Sequence, residues 1–431
     1  MFLKYSALPP AICCNIDSGI NMKLAILADF HLGYERFPDD AFKQALDAVA
    51  SASAEADAIL LAGDLFDTKV PKPESIAQAL TILRIPLEKH WLTRIASFSA
   101  RDGRQNLCNI PVIAIHGTHE MRAKSLLNPI QVLEKGGFLI NAHAATVTLE
   151  KDGERVAVTG MGGVPEKQAQ AAIEALNPAP VDGAFNIFLF HQSLQELLPV
   201  TDEYLSVDDL PSGFDLYVCG HMHGRFFKNL NGKQLLIPGS TVITQFKKEE
   251  EESKGFFIFD TKTRDCSFHA INSRPFFYRE VELKDASEDD AVEKVRDALR
   301  SVLASNPRNP IIRVKVKGTL RKGITPSSIS FSKVIEEFSG VAFVSIDKAF
   351  ESYELVEKIR EFRSLREGAS VRELGLELLE EKLKRNGFSL KLDIREIFEL
   401  LSNAKHNAAD LVIDELLKSE PTQQAQNMDS S

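Results

Sequence analysis

Six short apolar runs, each closed by residues able to bind a cation or turn the chain, constrain this sequence more than any other feature. They cover residues 24–28, 58–62, 111–115, 185–190, 215–219 and 234–237. Runs this short and this continuously apolar read as strands buried on both faces, as in sheets covered by helices. Between the first two runs, Pro38, Asp39 and Asp40 start a helix whose apolar face is Phe42, Ala45, Leu46 and Val49. Strand, helix and strand in succession predict a sheet that is at least partly parallel.

The residues that close each run carry the chemistry. The first run leads to Asp29-Phe30-His31, and the second to Gly63-Asp64 with Asp67 beyond. The third leads to Gly117-Thr118-His119-Glu120, and the fourth to His191-Gln192. The fifth leads to Gly220-His221-Met222-His223-Gly224, and the sixth to Pro238-Gly239-Ser240. Ligands of α/β sheets bind outside the carboxyl ends of the strands. Five strand ends therefore aim Asp or His side chains at one crevice from distant parts of the chain. Such a set suits attack on a phosphodiester, a hard anion that resists water. Two divalent cations about 3.5–4 Å apart acidify a water, neutralise phosphate oxygens and stabilise the leaving oxyanion. A mixture of carboxylates and imidazoles favours manganese, iron or zinc over calcium. The departing oxygen also takes a proton, for which His is the usual donor near neutral pH.

Asp-x-His, Gly-Asp-x-x-Asp, Gly-Thr-His-Glu, His and Gly-His-x-His, in that order, resemble the calcineurin-like metallophosphoesterase superfamily. Gly63-Asp64-Leu65-Phe66-Asp67-Thr68 and the extension after the core are similar to its SbcD branch. That branch is the DNA double-strand-break repair nuclease related to the eukaryotic meiotic-recombination-eleven nuclease. The motifs carry the resemblance over residues 22–260, and domain order alone carries it beyond. It implies an α/β (α+β) fold: a four-layer α/β/β/α sandwich, a small mixed α/β cap and a helical C-terminal region. It implies that Asp29, His31 and His223 hold one metal, that Asp64 bridges, and that His191 and His221 hold the second. It makes His119 the donor to the leaving 3′ oxygen, Glu120 the group that orients His119, and Asp67 a neighbour of the substrate phosphate. It further implies manganese, 3′-to-5′ exonuclease action on DNA ends and endonuclease action on single strands. The implied partners are an SbcC-type, SMC-like coiled-coil ATPase and a second copy of the chain. Helices at 75–83 and 127–133 are candidates for the homodimer contact.

One position departs from the family. Its pattern is Gly-Asn-His, with the Asn oxygen on the second metal; here the residue is Thr118. A hydroxyl is a weaker ligand than an amide oxygen, so a weaker second site is expected. Two other readings stay open: a phosphatase or small-substrate phosphodiesterase on the same site, and a non-catalytic DNA-binding or ATPase-tethering subunit if Thr118 has cost the second metal.

The 431 residues allow two or three domains. Residues 1–21 read as a loosely ordered extension, or one added by an upstream start codon, since one Lys and the Pro9-Pro10 pair make a poor signal peptide. Residues 22–272 are expected to form the nuclease domain, 273–350 a DNA-binding cap, 351–420 a helical ATPase-binding region, and 421–431 a disordered tail. Helices are expected at 287–303, 371–385 and 393–417. Residues 84–110, with Trp91, read as an insertion, and 249–254 as a solvated acidic loop or hairpin tip. From 312 to 317, Ile312, Val314 and Val316 alternate with Arg313, Lys315 and Lys317, the period of a strand. With Arg308, Arg321, Lys322 and Lys333, residues 301–335 carry seven basic and no acidic side chains. In a chain of net charge −10 this is a local patch, either a solvated strand face or a track for DNA phosphates. The overall charge argues against coating nucleic acid with the whole surface. Five scattered cysteines fit a reducing cytoplasm, Cys219 reading as buried filler. No apolar run approaches the roughly 18–20 residues that span a bilayer. The expected location is thus cytoplasmic, and nucleoid-associated by the resemblance. His90, His116, His143, His269 and His406 read as structural, with His116 facing away from the site.

Overall fold

The computed structural model describes residues 22–89, 93–99, 109–123, 125–198 and 204–353, with four isolated positions beyond. The extension 1–21, Trp91 and the tail lie outside the described residues, as do the expected helices 371–385 and 393–417 apart from Leu376, Glu380 and Arg395. The chain divides into two compact units. The first is Met1–Arg279 with Ser301–Arg313 and Phe338–Ser345; the second is Glu280–Arg300, Val314–Glu337 and Ile346–Ser431. The expected boundary at 272 is simpler than this division, because two later segments return to the first unit.

In chain order the first unit opens with β1 (Lys23–Leu27), α1 (Pro38–Glu55), β2 (Ala58–Leu61), α2 (Pro73–Leu87), β3 (Arg94–Phe98), β4 (Val112–Ala114), α3 (Pro129–Lys135) and β5 (Ile140–Asn141). It continues with β6 (Ala145–Lys151), β7 (Glu154–Met161), α4 (Ala169–Leu176), β8 (Phe185–His191), β9 (Leu216–Gly220), β10 (Phe226–Leu230), β11 (Lys233–Ile237), β12 (Gly255–Asp260) and β13 (Cys266–Ala270). All six apolar runs are strands. They lie in two sheets, ordered β13-β12-β1-β2-β4-β5 and β10-β11-β9-β8-β7-β6-β3. Local sequence sets the helix starts. Pro38 fits the first turn of α1, where no N–H is needed, and Asp39 and Asp40 complement the helix dipole there. Asn128 and Gln131 close a reciprocal capping box on α3.

Strand alternation builds four layers. Ala25 and Leu27 of β1 pack with Ala45, Val49 and Ala52 of α1, and with Ile82 and Leu83 of α2. Leu24 and Ile26 face the other way, onto Ile187, Leu189, Leu216 and Val218 of the second sheet. The far side of that sheet, Phe188, Phe190, Tyr217 and Cys219, is covered by Ala169 and Ile173 of α4. The result is an α/β/β/α sandwich, with Cys219 as buried filler. Each fully buried Leu, Ile or Phe contributes about 1.5–3 kcal/mol, so the two sheets are fixed on each other chiefly by this dry middle layer.

Three expectations need correction. The region 84–110 is not simply an insertion: α2 runs through Leu87, and Arg94–Phe98 forms the edge strand β3 against β6. Residues 249–254 are only partly the solvated stretch expected: Glu249, Glu251, Glu252 and Ser253 are exposed, but two residues turn inward. Glu250 and Lys254 are 3% and 5% exposed and form an ion pair at 3.2 Å. Glu250 is drawn inward because it accepts the backbone N–H groups of Thr244, Gln245 and Phe246. The hairpin of β6 and β7 was also unanticipated; it turns on Asp152 and Gly153, both at positive φ, as a two-residue hairpin requires.

Residues beyond the sandwich supply β14 (Phe276–Ala286), α5 (Glu288–Leu303), β15 (Ile311–Leu320), α6 (Ser332–Phe338) and β16 (Phe343–Glu351). The strands form one sheet in the order β14-β15-β16. Along β15, half-buried Arg313, Lys315 and Lys317 alternate with buried Ile312, Val314 and Val316, as the pattern requires. The patch is less bare than the sequence implies. Lys317 pairs with Glu280 at 2.7 Å, Arg321 faces Asp290 at 3.6 Å, and Arg313 donates to the Ser345 hydroxyl at 2.6 Å. Among the described residues no helix is long and apolar enough to cross a membrane.

Candidate metal centre

β1, β2 and β4 run parallel in one sheet, and β8, β9 and β11 run parallel in the other. Their carboxyl ends meet at one edge of the sandwich. The chain leaves those ends abruptly: Asp29, His31, Asp64 and His221 have φ of 56°, 49°, 51° and 78°. Left-handed backbone in residues other than glycine costs about 1–3 kcal/mol each, and it concentrates where function demands it. Hydrogen bonds hold these turns. Asp29 N–H donates to Gly63 O and His31 N–H to Asp64 O, each at 3.0 Å. His221 N–H donates to both carboxylate oxygens of Asp29 at 3.2 Å. Space is so short that a Cβ on Gly117 would strike the Asp64 carboxylate, and one on Gly220 the carbonyl of Ala62.

The turns gather three sets of ligand atoms, each within 4.8 Å: Asp29, His31 and His223; Asp64, His191 and His221; and His31, Asp64 and His119. The imidazole orientations are what a cation requires. His31 donates from Nδ1 to Asp67 Oδ1 at 3.0 Å, and His223 Nδ1 meets Thr244 Oγ1 at 2.6 Å. The two Nε2 atoms face each other at 3.2 Å, and with hydrogen on both Nδ1 atoms each would present a lone pair to the other. Ligand atoms at metal–nitrogen bonds of about 2.1 Å stand about this far apart. His191 repeats the theme. Its Nδ1 donates to Ala62 O at 2.7 Å, so Nε2 turns its lone pair on Asp64 Oδ2 at 3.1 Å. Two buried acceptors in contact need a cation, either a proton or a metal ion. The residues present therefore fit a pair of divalent cations.

The electrostatics agree. Burial pushes the Asp29 carboxyl up to about 6. Burial also acts upward on Asp64, but His191 overrides it by charge and hydrogen bond and leaves that carboxyl below the usual range. Burial lowers the His191 imidazole, yet Asp64 wins and holds it up at about 9, the protonic answer to the same contact. Burial takes His221 down to about 4 and His223 well below the ordinary range, so both offer lone pairs at neutral pH.

The geometry departs from one assignment made by resemblance. Glu120 does not orient His119: it is 0% exposed, and its two oxygens accept Phe66 N–H and Gly117 N–H, each at 2.9 Å. The group that faces the His119 ring is Asp67, whose backbone O lies 2.9 Å and whose Oδ1 lies 3.5 Å from Nδ1. Asp67 thus tethers His31 and His119 together. Thr118 stands beside the second set, with Oγ1 3.5 Å from His221 Nδ1. His119, its side chain 44% exposed, sits at the mouth. His116 is buried against His143, ring centroids 4.5 Å apart, and belongs to none of the three sets. The expectations missed Thr244, Glu250 and Lys254. Lys254 Nζ reaches His223 O at 3.4 Å, Ser240 Oγ at 2.9 Å and Glu250 at 3.2 Å, bracing the loop that carries Thr244. The only sequence signal was the four-residue spacing of Glu250 and Lys254.

Comparison with known proteins agrees with this geometry. Residues 22–225 match the family model for calcineurin-like phosphoesterases, which covers a little under half of the chain. Within it the resemblance is to the Mre11 and SbcD type. The chain is 28% identical to the double-strand break repair protein MRE11 of Encephalitozoon cuniculi, over 65% of this chain and 53% of that one. It is 24% identical to the DNA double-strand break repair protein Mre11 of Archaeoglobus fulgidus, over 78% and 79% of the two chains. With its namesake from Sulfolobus acidocaldarius the identity is 25%, over 69% and 76%. The chain spans about half the length of the Encephalitozoon relative.

Proposed function

We propose that this protein is a two-metal phosphodiesterase that cuts DNA at double-strand breaks. The observation that carries the reading is the pair of facing Nε2 atoms of His31 and His223, together with the His191–Asp64 contact. Asp29, His31 and His223 would hold one cation, and His191 and His221 the other, with Asp64 available to both and Thr118 alongside. Divalent cations bound there supply Lewis acidity and an acidified water. The protein's own groups do the rest. Asp64 is fixed by His119 N–H at 2.9 Å as well as by His191. His31 is held by Asp67, and His119 is aligned by the same residue through Nδ1, which leaves its other nitrogen to protonate the departing oxygen.

DNA as substrate is supported by the names of the relatives and by the basic side chains Arg313, Lys315, Lys317, Arg321 and Lys322, three of which already have acceptors inside the fold. Manganese is our choice of metal, from the mixed carboxylate and imidazole donors. By the same resemblance we assign 3′-to-5′ exonuclease and single-strand endonuclease action, an SbcC-type ATPase as partner, and a cytoplasmic location. The homodimer reading has one further support: Val70, Leu126, Leu127 and Val132, beside α2 and α3, are exposed apolar residues.

The test is a manganese-dependent assay on end-labelled duplex with wild type and His119→Ala. Cutting by wild type, lost in His119→Ala while both ions stay bound, is the expected result. Turnover of a bis-phenyl phosphate without any action on DNA would sink the DNA assignment, and undiminished cutting by His119→Ala would sink the proton donor.

A further inference from the structure

We propose that Glu166 is the positioning residue of His221 and sets the strength of the second metal site; this rests on the two-metal reading above. The His221 ring lies between two unlike groups. Nδ1 is 3.5 Å from Thr118 Oγ1, and Nε2 is 3.8 Å from Glu166 Oε1. A neutral imidazole gives a lone pair from one nitrogen and carries its hydrogen on the other. Thr118 fills the position beside the second ligand set, so Nδ1 is the ligand atom and Nε2–H faces the carboxylate.

Glu166 is built for that task. It opens a short turn, Glu166–Gln168, just after β7. Its Oε1 accepts Ser193 N–H at 3.3 Å, two residues beyond His191 at the end of β8. Its Oε2 is buried and, among the described residues, has no hydrogen-bond partner, so the carboxylate keeps accepting capacity to spend. The present 3.8 Å is longer than a hydrogen bond, so the proposed role requires the ring to tilt toward Glu166 when an ion binds. A carboxylate behind a ligating histidine fixes the tautomer, orients the ring and makes it more basic; removing one costs about 10–100-fold in metal affinity. Thr118 gives this site only a hydroxyl. Glu166 offsets that weakness from behind His221, with no direct bond to the ion.

The experiment is titration of the metal-free full chain with Mn2+ by calorimetry and by electron paramagnetic resonance, in wild type, Glu166→Gln, Thr118→Asn and the double variant. Wild type is expected to take up two ions, the second more weakly, with the spectrum of a coupled pair. Glu166→Gln, which keeps the shape and removes the charge, should bind the second ion about 10–100-fold more weakly and lose the coupled signal while the first ion is unaffected. Adding Thr118→Asn should restore the second ion, a rescue that a merely structural role for Glu166 does not permit. Unchanged second-ion affinity in Glu166→Gln overturns the proposal, as does equal weakening of both ions. A wild-type protein that takes up a single ion overturns the two-metal reading instead, and the role of Glu166 with it.

Discussion

Glu120→Ala separates a supporting carboxylate from a chemical one. The substitution strips the acceptor from two backbone donors, Phe66 N–H and Gly117 N–H, both held at 2.9 Å by a side chain with no exposed surface. Each buried donor left without a partner costs about 1–3 kcal/mol, which gives about 2–6 kcal/mol for the pair. Part of this is offset, because burial and the nearby Asp64 already penalise the ionised acid and hold its carboxyl up to about 8. A net loss of about 2–4 kcal/mol lowers the melting temperature of a domain this size by about 5–15 °C. Scanning calorimetry at saturating Mn2+ measures it, with His119→Ala as the control expected to melt like wild type because His119 lies at the exposed mouth. Hydrolysis by Glu120→Ala, assayed well below its melting point, should keep the pH profile of wild type. A variant that melts within about 1 °C of wild type but no longer hydrolyses phosphodiesters would refute the reasoning and return Glu120 to the side of His119.

Gly117→Ala places a methyl against the Asp64 carboxylate; Mn2+ affinity should fall more than about tenfold with the circular dichroism spectrum retained, and unaltered affinity would contradict the crowding described. Lys254→Met leaves the buried Glu250 carboxylate with backbone N–H donors but without its counter-ion, so stability should drop by about 3–5 kcal/mol in denaturant titration, and Lys254→Met with Glu250→Gln should recover part of it. Since burial holds the Asp29 carboxyl up to about 6, the metal-free protein carries a proton there in acid, and that proton competes with the ion. Affinity for the first cation should therefore be full above that value and fall as pH drops through it, which Mn2+ titrations from about pH 5 to 8 would reveal; a flat profile would count against Asp29 as a ligand. Asp67→Asn should slow hydrolysis about 10–100-fold through loss of the anion behind His31, and a wild-type rate would remove Asp67 from the machinery.

Much of the sandwich was legible because parallel strands buried on both faces spell themselves as unbroken apolar runs. The residues that end them stand out by contrast, and their convergence follows from strand direction. β3 was invisible for the opposite reason: Arg94–Phe98 is an edge strand with no fully buried residue, and nothing in its composition separates it from a loop. The β6–β7 hairpin did announce itself through Asp152-Gly153, a signal the apolar-run criterion overlooked because Thr146 and Thr148 interrupt the pattern. Roles within the site were harder to read. Adjacency in sequence paired Glu120 with His119, yet the turn sends one side chain inward and the other out. In the acidic stretch 249–252, no feature tells which glutamate faces in; the answer depends on three N–H groups in the preceding loop. The basic face of β15 was overestimated because its neutralising partners, Glu280 and Asp290, come from a neighbouring strand and a helix.

The candidate ligands of each cation come from both sheets. Asp29 and His31 lie just past β1 whereas His223 lies past β9; Asp64 lies past β2, whereas His191 ends β8 and His221 lies past β9. Any sliding of one sheet across the other would stretch both coordination shells at once. Their dimensions would thus be governed by Leu24, Ile26, Leu60, Ile187, Leu189 and Val218, none of which is a candidate ligand. Sequence drift in that waterless layer would be felt as a change in which metal the protein prefers, so the selectivity of the centre is partly written in residues that never meet it.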